Sequence, residues 1–430
     1  MKLNTSNLKK RYLSGFIQDT TISVIDHAGL SAINFLLGLA FINFGSKSDY
    51  GVYAQLFAFL MLLQSIFVSL VNEPLLTLAS KKHPISIAQM ESVLLQYLVL
   101  SGLLVSLLIY LLLVFASSLS FTTVLSAKVA LSFSLALFTL LVREYLRAVC
   151  FLRHAPQVSL QIDIIYAIAL GFGLLFFYQI FGFGLITVFT AVAIANLIAL
   201  VYGLVRLRIS PIFSPDAFSH VIAETWSCSK WSLPRSVVTW LFANTYLYIT
   251  GFFFGSVIVA EISAARLFIM PLGLCIAAWE KIFLPRASRW LSQHRLGKVQ
   301  QTANNSSKAL IALVVLYILL LVLLFDKIQL HFFANNYTTI LPLVLLWGGW
   351  AFVNSVRTVA TNLMIAALKF RQIFYYALVV SFFSLPITVI AAYFSGPEAT
   401  LATYILSEAF LAYLTWCMGW RKVFRQLRAG

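Results

Sequence analysis

Long apolar runs separated by short polar breaks dominate the chain from residue 21 onward. An α-helix needs about twenty consecutive, mostly apolar residues to cross the hydrocarbon core of a bilayer. The sequence therefore predicts an all-α polytopic membrane protein with about twelve spanning helices. These helices are expected at residues 21–44, 51–79, 92–116, 124–150, 157–181, 184–205, 232–254, 257–283, 308–331, 339–367, 371–395 and 398–420.

The longest polar break, residues 206–230, divides the predicted helices into two groups of six. Pro211 and Pro215 lie in this segment, and proline interrupts helices. We therefore expect three parts along the chain. They are an N-terminal six-helix lobe at residues 1–208, a cytoplasmic linker at 209–230 and a C-terminal six-helix lobe at 231–430.

The two predicted lobes carry a weak internal repeat. Phe44-Gly45-Ser46 recurs as Phe254-Gly255-Ser256, each at an expected outer turn. Because six is an even number, both lobes keep the same orientation in the membrane, which makes the repeat parallel. Transporters built from such repeats place their substrate sites near the bilayer midplane at the repeat interface.

Composition supports a membrane environment, since 61% of the residues are hydrophobic and only 10% are charged. Soluble domains carry about 25% charged residues. The net charge of +16 follows from topology, because 25 of the 30 Lys and Arg residues fall in segments that face inside when the N-terminus is cytoplasmic. The outer loops hold only Lys47, Lys128 and Lys327. The positive-inside rule thus predicts that both termini are cytoplasmic, and no nucleic-acid partner is needed to explain the charge.

Other function classes find little support in the sequence. The polar, basic first twenty residues and the long first apolar run favour insertion through the first helix rather than a cleaved signal peptide. The four cysteines are isolated, so neither a disulfide framework nor a metal site is predicted. No phosphate-binding loop or catalytic motif is present, and the longest loop has only about 25 residues, so we expect no cofactor and no enzyme activity.

Ionisable residues inside the predicted helices are the candidate functional groups, because burying them in lipid costs at least ~2.5–3.5 kcal/mol each. At ~1.5 Å per residue, Arg266 and Glu408 lie nearest the midplane and Arg357 somewhat closer to the cytoplasm. Three such residues lie within a few turns of the inner surface, namely Asp26, Asp163 and Arg235. Arginine offers a bidentate fork to phosphate or carboxylate. The functional hypothesis is a water-filled cationic cleft, formed by Arg235, Arg266 and Arg357, that receives an anionic group from the cytoplasm.

A purely structural interpretation stays open beside this one. Arg266 or Arg357 can pair with Glu408, and Asp163 with Arg235, to hold helices in register. Arg235 can also reach the headgroups by snorkelling.

The acidic residues allow two further interpretations. Asp26, Glu73 and Asp163 can take up a coupling proton or sodium ion, with His27 as a proton relay, or serve as helix-pairing and solvated groups. The basic segment 143–147 (REYLR) is expected at the inner end of the fourth helix, where it either takes a solvated or interfacial position or contacts the substrate.

Several segments resemble the Wzx-type flippases, the polysaccharide exporters of the multidrug/oligosaccharidyl-lipid/polysaccharide superfamily. Residues 44–53 (FGSKSDYGVY) are similar to the first outer turn of these flippases, 143–147 to the end of their helix 4, and 259–286 to their helix 8. The resemblance implies a MATE-like fold of two six-helix lobes around a cavity that opens alternately to each side.

The same resemblance implies a function. The cargo would be a polyprenyl-diphosphate-linked oligosaccharide for O-antigen, capsule or exopolysaccharide, moved across the bacterial inner membrane with its diphosphate on Arg266 and Arg357. The implied partners are this cargo, membrane lipids and the polysaccharide polymerase complex.

Related protein families and other function classes fit the sequence less well. Lipid II flippases usually carry two additional helices, and multidrug extruders a more acidic N-terminal lobe. The main alternative is a cation-coupled small-molecule exporter of the same fold. A membrane-embedded glycosyltransferase or polymerase would need a larger loop or domain, and the intramembrane charges argue against a structural scaffold.

Overall fold

The computed structural model describes residues 5–78, 86–118, 126–209, 215–333, 337 and 340–429, and in this part of the chain no strand occurs. Two π-helical segments, Val68–Asn72 and Leu414–Trp420, each connect two α-helices. The α-helices are α1 Thr5–Phe44, α2 Lys47–Phe67, α3 Glu73–Leu78, α4 Ile87–Ser118, α5 Ala127–Leu152, α6 Pro156–Phe181, α7 Leu185–Leu207, α8 Pro215–Leu267, α9 Met270–Ser292, α10 Leu296–Phe332, α11 Leu341–Ala366, α12 Phe370–Ser395, α13 Pro397–Tyr413 and α14 Arg421–Ala429.

Within these described residues, eleven segments are long and apolar enough to cross a membrane. One of them belongs to α8, whose 53 residues would extend roughly 80 Å, far beyond the ~30 Å hydrocarbon core. Gly255 divides α8, because its φ of 80° and ψ of 175° are not helical. The predicted helix 232–254 therefore lies in α8 before Gly255, and the predicted helix 257–283 runs from the end of α8 into α9. The expected all-α polytopic fold with about twelve spanning helices is confirmed.

The structure differs from the predicted linker in one respect. Residues 215–230 are helical, because α8 begins at Pro215. Proline is tolerated at the start of a helix, where its missing N–H has no intrahelical acceptor. Pro211 lies outside the described residues.

One compact unit, called here the N-terminal unit, comprises Met1–Leu36 and Phe59–Ser236. Its centre is α5, which packs against α4 and α7. Small residues on α7 allow close contact with neighbouring helices, as is usual in membrane bundles. A Cβ at Gly203 would approach the Leu146 side chain to 2.9 Å, and Gly173 of α6 lies against Ala191.

The second compact unit, called here the C-terminal unit, comprises Leu37–Ala58 and Val237–Gly430. Residues 37–58 thus belong with this unit, although the sequence places them in the N-terminal lobe. Their contact with α8 requires glycine, since a Cβ at Gly51 would lie 1.8 Å from the Ser256 carbonyl oxygen. A separate apolar cluster that includes Phe283, Val299 and Trp420 joins α9, α10 and the chain around α14.

The orientation of the helices stays a prediction, and cysteine labelling tests it. Ser46 and Gln293 are both exposed and lie at expected outer and inner turns. After replacement of the four native cysteines, we expect a membrane-impermeant maleimide to label Ser46→Cys in right-side-out vesicles. Gln293→Cys should be labelled only after detergent permeabilisation. The reversed pattern would contradict cytoplasmic termini.

Candidate functional site

Arg266 lies at the C-terminal end of α8, next to the short non-helical segment that separates α8 from α9. It follows Gly255 by about three turns, roughly 16 Å along the helix, and with Gly255 at the predicted outer turn this distance corresponds to the middle of the hydrocarbon core. Irregular backbone at this depth needs internal hydrogen bonds. The Tyr317 hydroxyl donates to the Phe268 carbonyl at 2.6 Å, and the Ile269 N–H donates to the Arg266 carbonyl at 3.0 Å. A cationic side chain at a helix C-terminus is also favoured by the helix dipole.

Aromatic side chains surround the guanidinium of Arg266. Its Cζ lies 5.3 Å from the centre of the Trp347 ring, a cation–π distance. Tyr50, Tyr246 and Tyr404 are close enough to interact with it electrostatically. Among the described carboxylates, none forms an ion pair with Arg266, and its side chain is exposed. Arg266 is therefore a cation deep in the membrane segment with donors available for an anion.

A rigid aromatic frame holds this arrangement. Tyr404 stacks on Tyr246 with ring centres 5.0 Å apart, and Trp350 stacks on Tyr404 at 6.4 Å. Trp347 is fully buried and donates its indole N–H to the Ile262 carbonyl at 3.0 Å. Because stacked rings packed in the interior have little freedom, and the indole N–H of Trp347 is satisfied, the frame restricts the position of the Arg266 guanidinium.

Arg357 lies on α11 beside Glu408 on α13. The Arg357 Nε donates to Glu408 Oε1 at 2.6 Å, and a second guanidinium nitrogen donates to Asn354 Oδ1 at 2.9 Å. Glu408 is 1% exposed, whereas 25% of the Arg357 side chain remains accessible. Arg357 therefore combines a helix-pairing contact with a partly accessible guanidinium.

The structure brings two of the three candidate arginines into one neighbourhood. Tyr404 is the shared neighbour, since it lies within electrostatic range of Arg266, Arg357 and Glu408. Arg235 is not part of this group. It belongs to the N-terminal unit and forms an ion pair with Glu73 at 2.7 Å, and both side chains are substantially exposed. The candidate anion site of the C-terminal unit thus consists of Arg266 and Arg357 with Glu408 as a counter-ion.

A buried ion cluster in the N-terminal unit has Arg147 at its centre. The Arg147 guanidinium contacts Asp26 and Asp163 at 2.9 Å each, and it binds both carboxylate oxygens of Glu144 at 2.9 Å. Arg143 lies 3.3 Å from Glu144. With three carboxyl groups facing two guanidinium groups, the fully ionised cluster would carry one net negative charge.

This cluster corrects two expectations. The segment 143–147 was expected to be solvated or interfacial, but Arg143 and Arg147 are buried, with 3% and 6% exposure. The structural interpretation pairs Asp163 with Arg235, yet the partner of Asp163 is Arg147. One signal in the sequence could have indicated the cluster, because Arg147 follows Arg143 by four residues and Glu144 by three, and these spacings bring side chains together on one helix inside an apolar span. The side chain of His27 lies outside the described part of the structure.

A second ion pair ties the N-terminal end of α4 to the C-terminal ends of α5 and α7. Arg153 donates two hydrogen bonds to the buried Glu91 and one to the Leu207 carbonyl at 2.6 Å. The hydrogen bonds to Glu91 raise the pKa of the Arg153 guanidinium. We assign this contact a structural role, because it gives a hydrogen-bond donor to the Leu207 carbonyl, one of the terminal groups of α7 that lack an intrahelical donor.

No known protein-family model matches this sequence, and no curated protein matches it significantly. Solved structures do match. A MATE-family multidrug resistance transporter of the MOP superfamily, in an inward-facing conformation, aligns with a TM-score of 0.71 and 10% identity, over 92% of this chain and 95% of that one. The lipid II flippase MurJ, in an inward closed conformation, gives a TM-score of 0.73 and 14% identity, over 96% of this chain and 90% of that one. The MATE transporter VcmN from Vibrio cholerae, in its bent form, gives 0.60 and 14%, over 97% and 98%.

These similarities establish the fold. The chain has the fold shared by the MATE transporters and the MurJ flippase, in agreement with the MATE-like architecture expected above. Identities of 10–14% show the fold alone. Because proteins described as multidrug transporters and as a lipid II flippase align about equally well, the choice of cargo depends on the site itself.

Proposed function

We propose that the chain is a transporter that flips a polyprenyl-diphosphate-linked oligosaccharide across a membrane by alternating access. One observation carries the proposal, namely that Arg266 is exposed and has no carboxylate partner among the described residues, at a position that the predicted topology places near the middle of the membrane. An arginine is retained at such depth, against a cost of at least ~2.5–3.5 kcal/mol, when it faces water or an anionic ligand.

The chemistry of the site favours a diphosphate over an organic cation. Two guanidinium groups near Tyr404 can each donate paired hydrogen bonds to phosphate oxygens. An organic cation would meet electrostatic repulsion from Arg266, whose positive charge is not balanced by a nearby acid. Membrane lipids and a lipid-linked anionic cargo are therefore the partners we propose. Residence in a bacterial inner membrane, action beside a polysaccharide polymerase complex and the absence of enzyme activity belong to the same proposal.

One observation supports the alternative of a cation-coupled small-molecule exporter. The cluster of Asp26, Glu144 and Asp163 around Arg147 holds more acidic than basic groups. Such a cluster can exchange a proton or a sodium ion. It would serve as a coupling site in a flippase as well as in an exporter, so its presence does not select the cargo.

A flipping assay tests the proposal. The full-length protein is reconstituted in proteoliposomes with a fluorescent polyprenyl-diphosphate oligosaccharide, and the lipid that reaches the opposite leaflet is measured by quenching. We expect the wild-type protein to accelerate flipping and Arg266→Ala to slow it by roughly ten- to hundredfold, as expected for losing hydrogen bonds between charged groups.

The matched control is Arg289→Ala, because Arg289 is exposed near the end of α9 and should leave the rate unchanged. If Arg266→Ala flips the lipid at the wild-type rate, the proposed role of Arg266 is wrong. If the protein exports an organic cation in a manner that depends on Asp163 and flips no lipid, the alternative function replaces the proposal.

A further inference from the structure

Glu408 is a buried carboxylate with only one of its two oxygens satisfied. Oε1 accepts the 2.6 Å hydrogen bond from Arg357, whereas Oε2 is buried without a hydrogen-bond partner among the described residues. An ionised carboxylate is costly to bury unless its oxygens are paired. The charge of Glu408 therefore depends on one cation, the Arg357 guanidinium.

The groups facing this pair are few. Tyr404 precedes Glu408 by one turn on α13, and Arg266 of α8 interacts with the same tyrosine. From α9, Glu280 lies within electrostatic range of Arg357 and accepts a hydrogen bond from Asn362 at 2.9 Å. From α12, neutral groups such as Thr388 face α13, and the charged Arg371 of that helix is exposed in its first turn.

The guanidinium that holds Glu408 is also half of the proposed diphosphate site. A phosphate oxygen that accepts the Nε–H of Arg357 would take the donor that Glu408 Oε1 now uses. The carboxylate would then be buried with neither oxygen paired to a cation, a state in which the neutral acid is favoured.

We propose that Glu408 competes with the cargo diphosphate for Arg357, and that its carboxyl group takes up one proton when the diphosphate displaces it. The inference rests on the proposed function. In this step Arg357 stays protonated and passes its N–H donation from Glu408 Oε1 to a phosphate oxygen. The freed carboxylate takes a proton from a hydronium ion of the solvent, so that one carboxyl O–H bond forms, one hydronium O–H bond breaks and a water molecule is left. Cargo and proton thus bind together within the C-terminal unit.

Linkage makes this proposal measurable, because a ligand that binds with one proton binds more tightly as the pH falls. The probe is farnesyl diphosphate, a short prenyl diphosphate, titrated into the purified full-length protein in nanodiscs by calorimetry. Two buffers with different ionisation enthalpies report the proton count. We expect uptake of about one proton per farnesyl diphosphate in the wild-type protein at about pH 8, where the terminal phosphate of the probe is already ionised and contributes no proton of its own. The dissociation constant should fall by up to about tenfold per pH unit on acidification.

Two variants sharpen the test. Glu408→Gln keeps a hydrogen-bond acceptor beside Arg357 but carries no charge, so it should bind farnesyl diphosphate more tightly, without proton uptake and independently of pH. Glu280→Gln is the matched control, since it removes another acid near Arg357, and it should keep the wild-type proton uptake.

The possible results distinguish a failure of this inference from a failure of the proposed function. If the wild-type protein binds farnesyl diphosphate without proton uptake, this inference is wrong and the proposed function stands. This outcome can be measured on the wild-type protein alone. Undiminished uptake in Glu408→Gln would equally overturn it by assigning the proton to another group. Absence of farnesyl diphosphate binding to the wild-type protein would contradict the proposed function, and the inference with it.

Discussion

Replacing Arg147 with methionine is expected to lower the free energy of unfolding of the N-terminal unit by about 3–5 kcal/mol, the usual cost of leaving buried charges unpaired. The Arg147 guanidinium contacts Asp26, Glu144 and Asp163 in the interior of the unit. Without it, three carboxyl groups would share only Arg143. Because whole domains are stable by only about 5–15 kcal/mol, most of the variant protein should fail to accumulate in the membrane.

The measurement is the amount of folded protein by fluorescence size-exclusion chromatography, together with the thermal midpoint in detergent. Arg206→Met is the matched control, since Arg206 is exposed at the end of α7 and should tolerate the same change. Neutralising the acids in the Arg147→Met background, with Asp26→Asn and Asp163→Asn, should restore part of the loss. Equal thermal midpoints for Arg147→Met and Arg206→Met would show that the cluster is not held by Arg147.

The sequence predicts the helical framework well because spanning a bilayer imposes a length on each apolar run. It also indicates the turn at Gly255, since the motif around Gly45 recurs there. The break between α8 and α9 escaped prediction, because Leu267, Phe268 and Ile269 are as apolar as their neighbours. What permits irregular backbone at that depth is the hydroxyl of Tyr317, a residue far away along the chain.

Single members of the candidate site can be identified from the sequence, because the cost of a charge in lipid marks Arg266, Arg357 and Glu408 individually. Their pairing cannot be identified in this way. Which arginine pairs with Glu408 depends on how α11 packs against α13, and the repeat does not determine that packing. The aromatic frame was also missed as a whole, since 15% of the chain is aromatic and Trp347 or Tyr404 does not stand out. Charge counting assigned Arg143 and Arg147 to the inner surface, because it treats every residue near a helix end as solvated.

The same substitution at the two arginines of the candidate site should change the stability of the protein to very different extents. We expect Arg357→Met to destabilise the C-terminal unit by about 3–5 kcal/mol, because it leaves Glu408 buried without its cation. Arg266→Met should change the stability by less than about 1 kcal/mol, since none of the described carboxylates loses an ion pair. Thermal midpoints of the purified variants measure both effects.

A double-mutant cycle isolates the cause. Adding Glu408→Gln to Arg357→Met removes the unpaired charge, so the double variant should recover most of the lost stability, and the coupling should lie at or above the upper end of the range of roughly 0.5–3 kcal/mol seen for residues in contact. Arg266→Met should remain folded and yet lose binding of farnesyl diphosphate. Equal destabilisation by the two single variants, or no recovery in the double variant, would contradict the assignment of Arg357 to helix pairing. The stability of Arg266→Met matters most for function, because only a variant that folds normally can show that Arg266 acts on the cargo rather than on the fold.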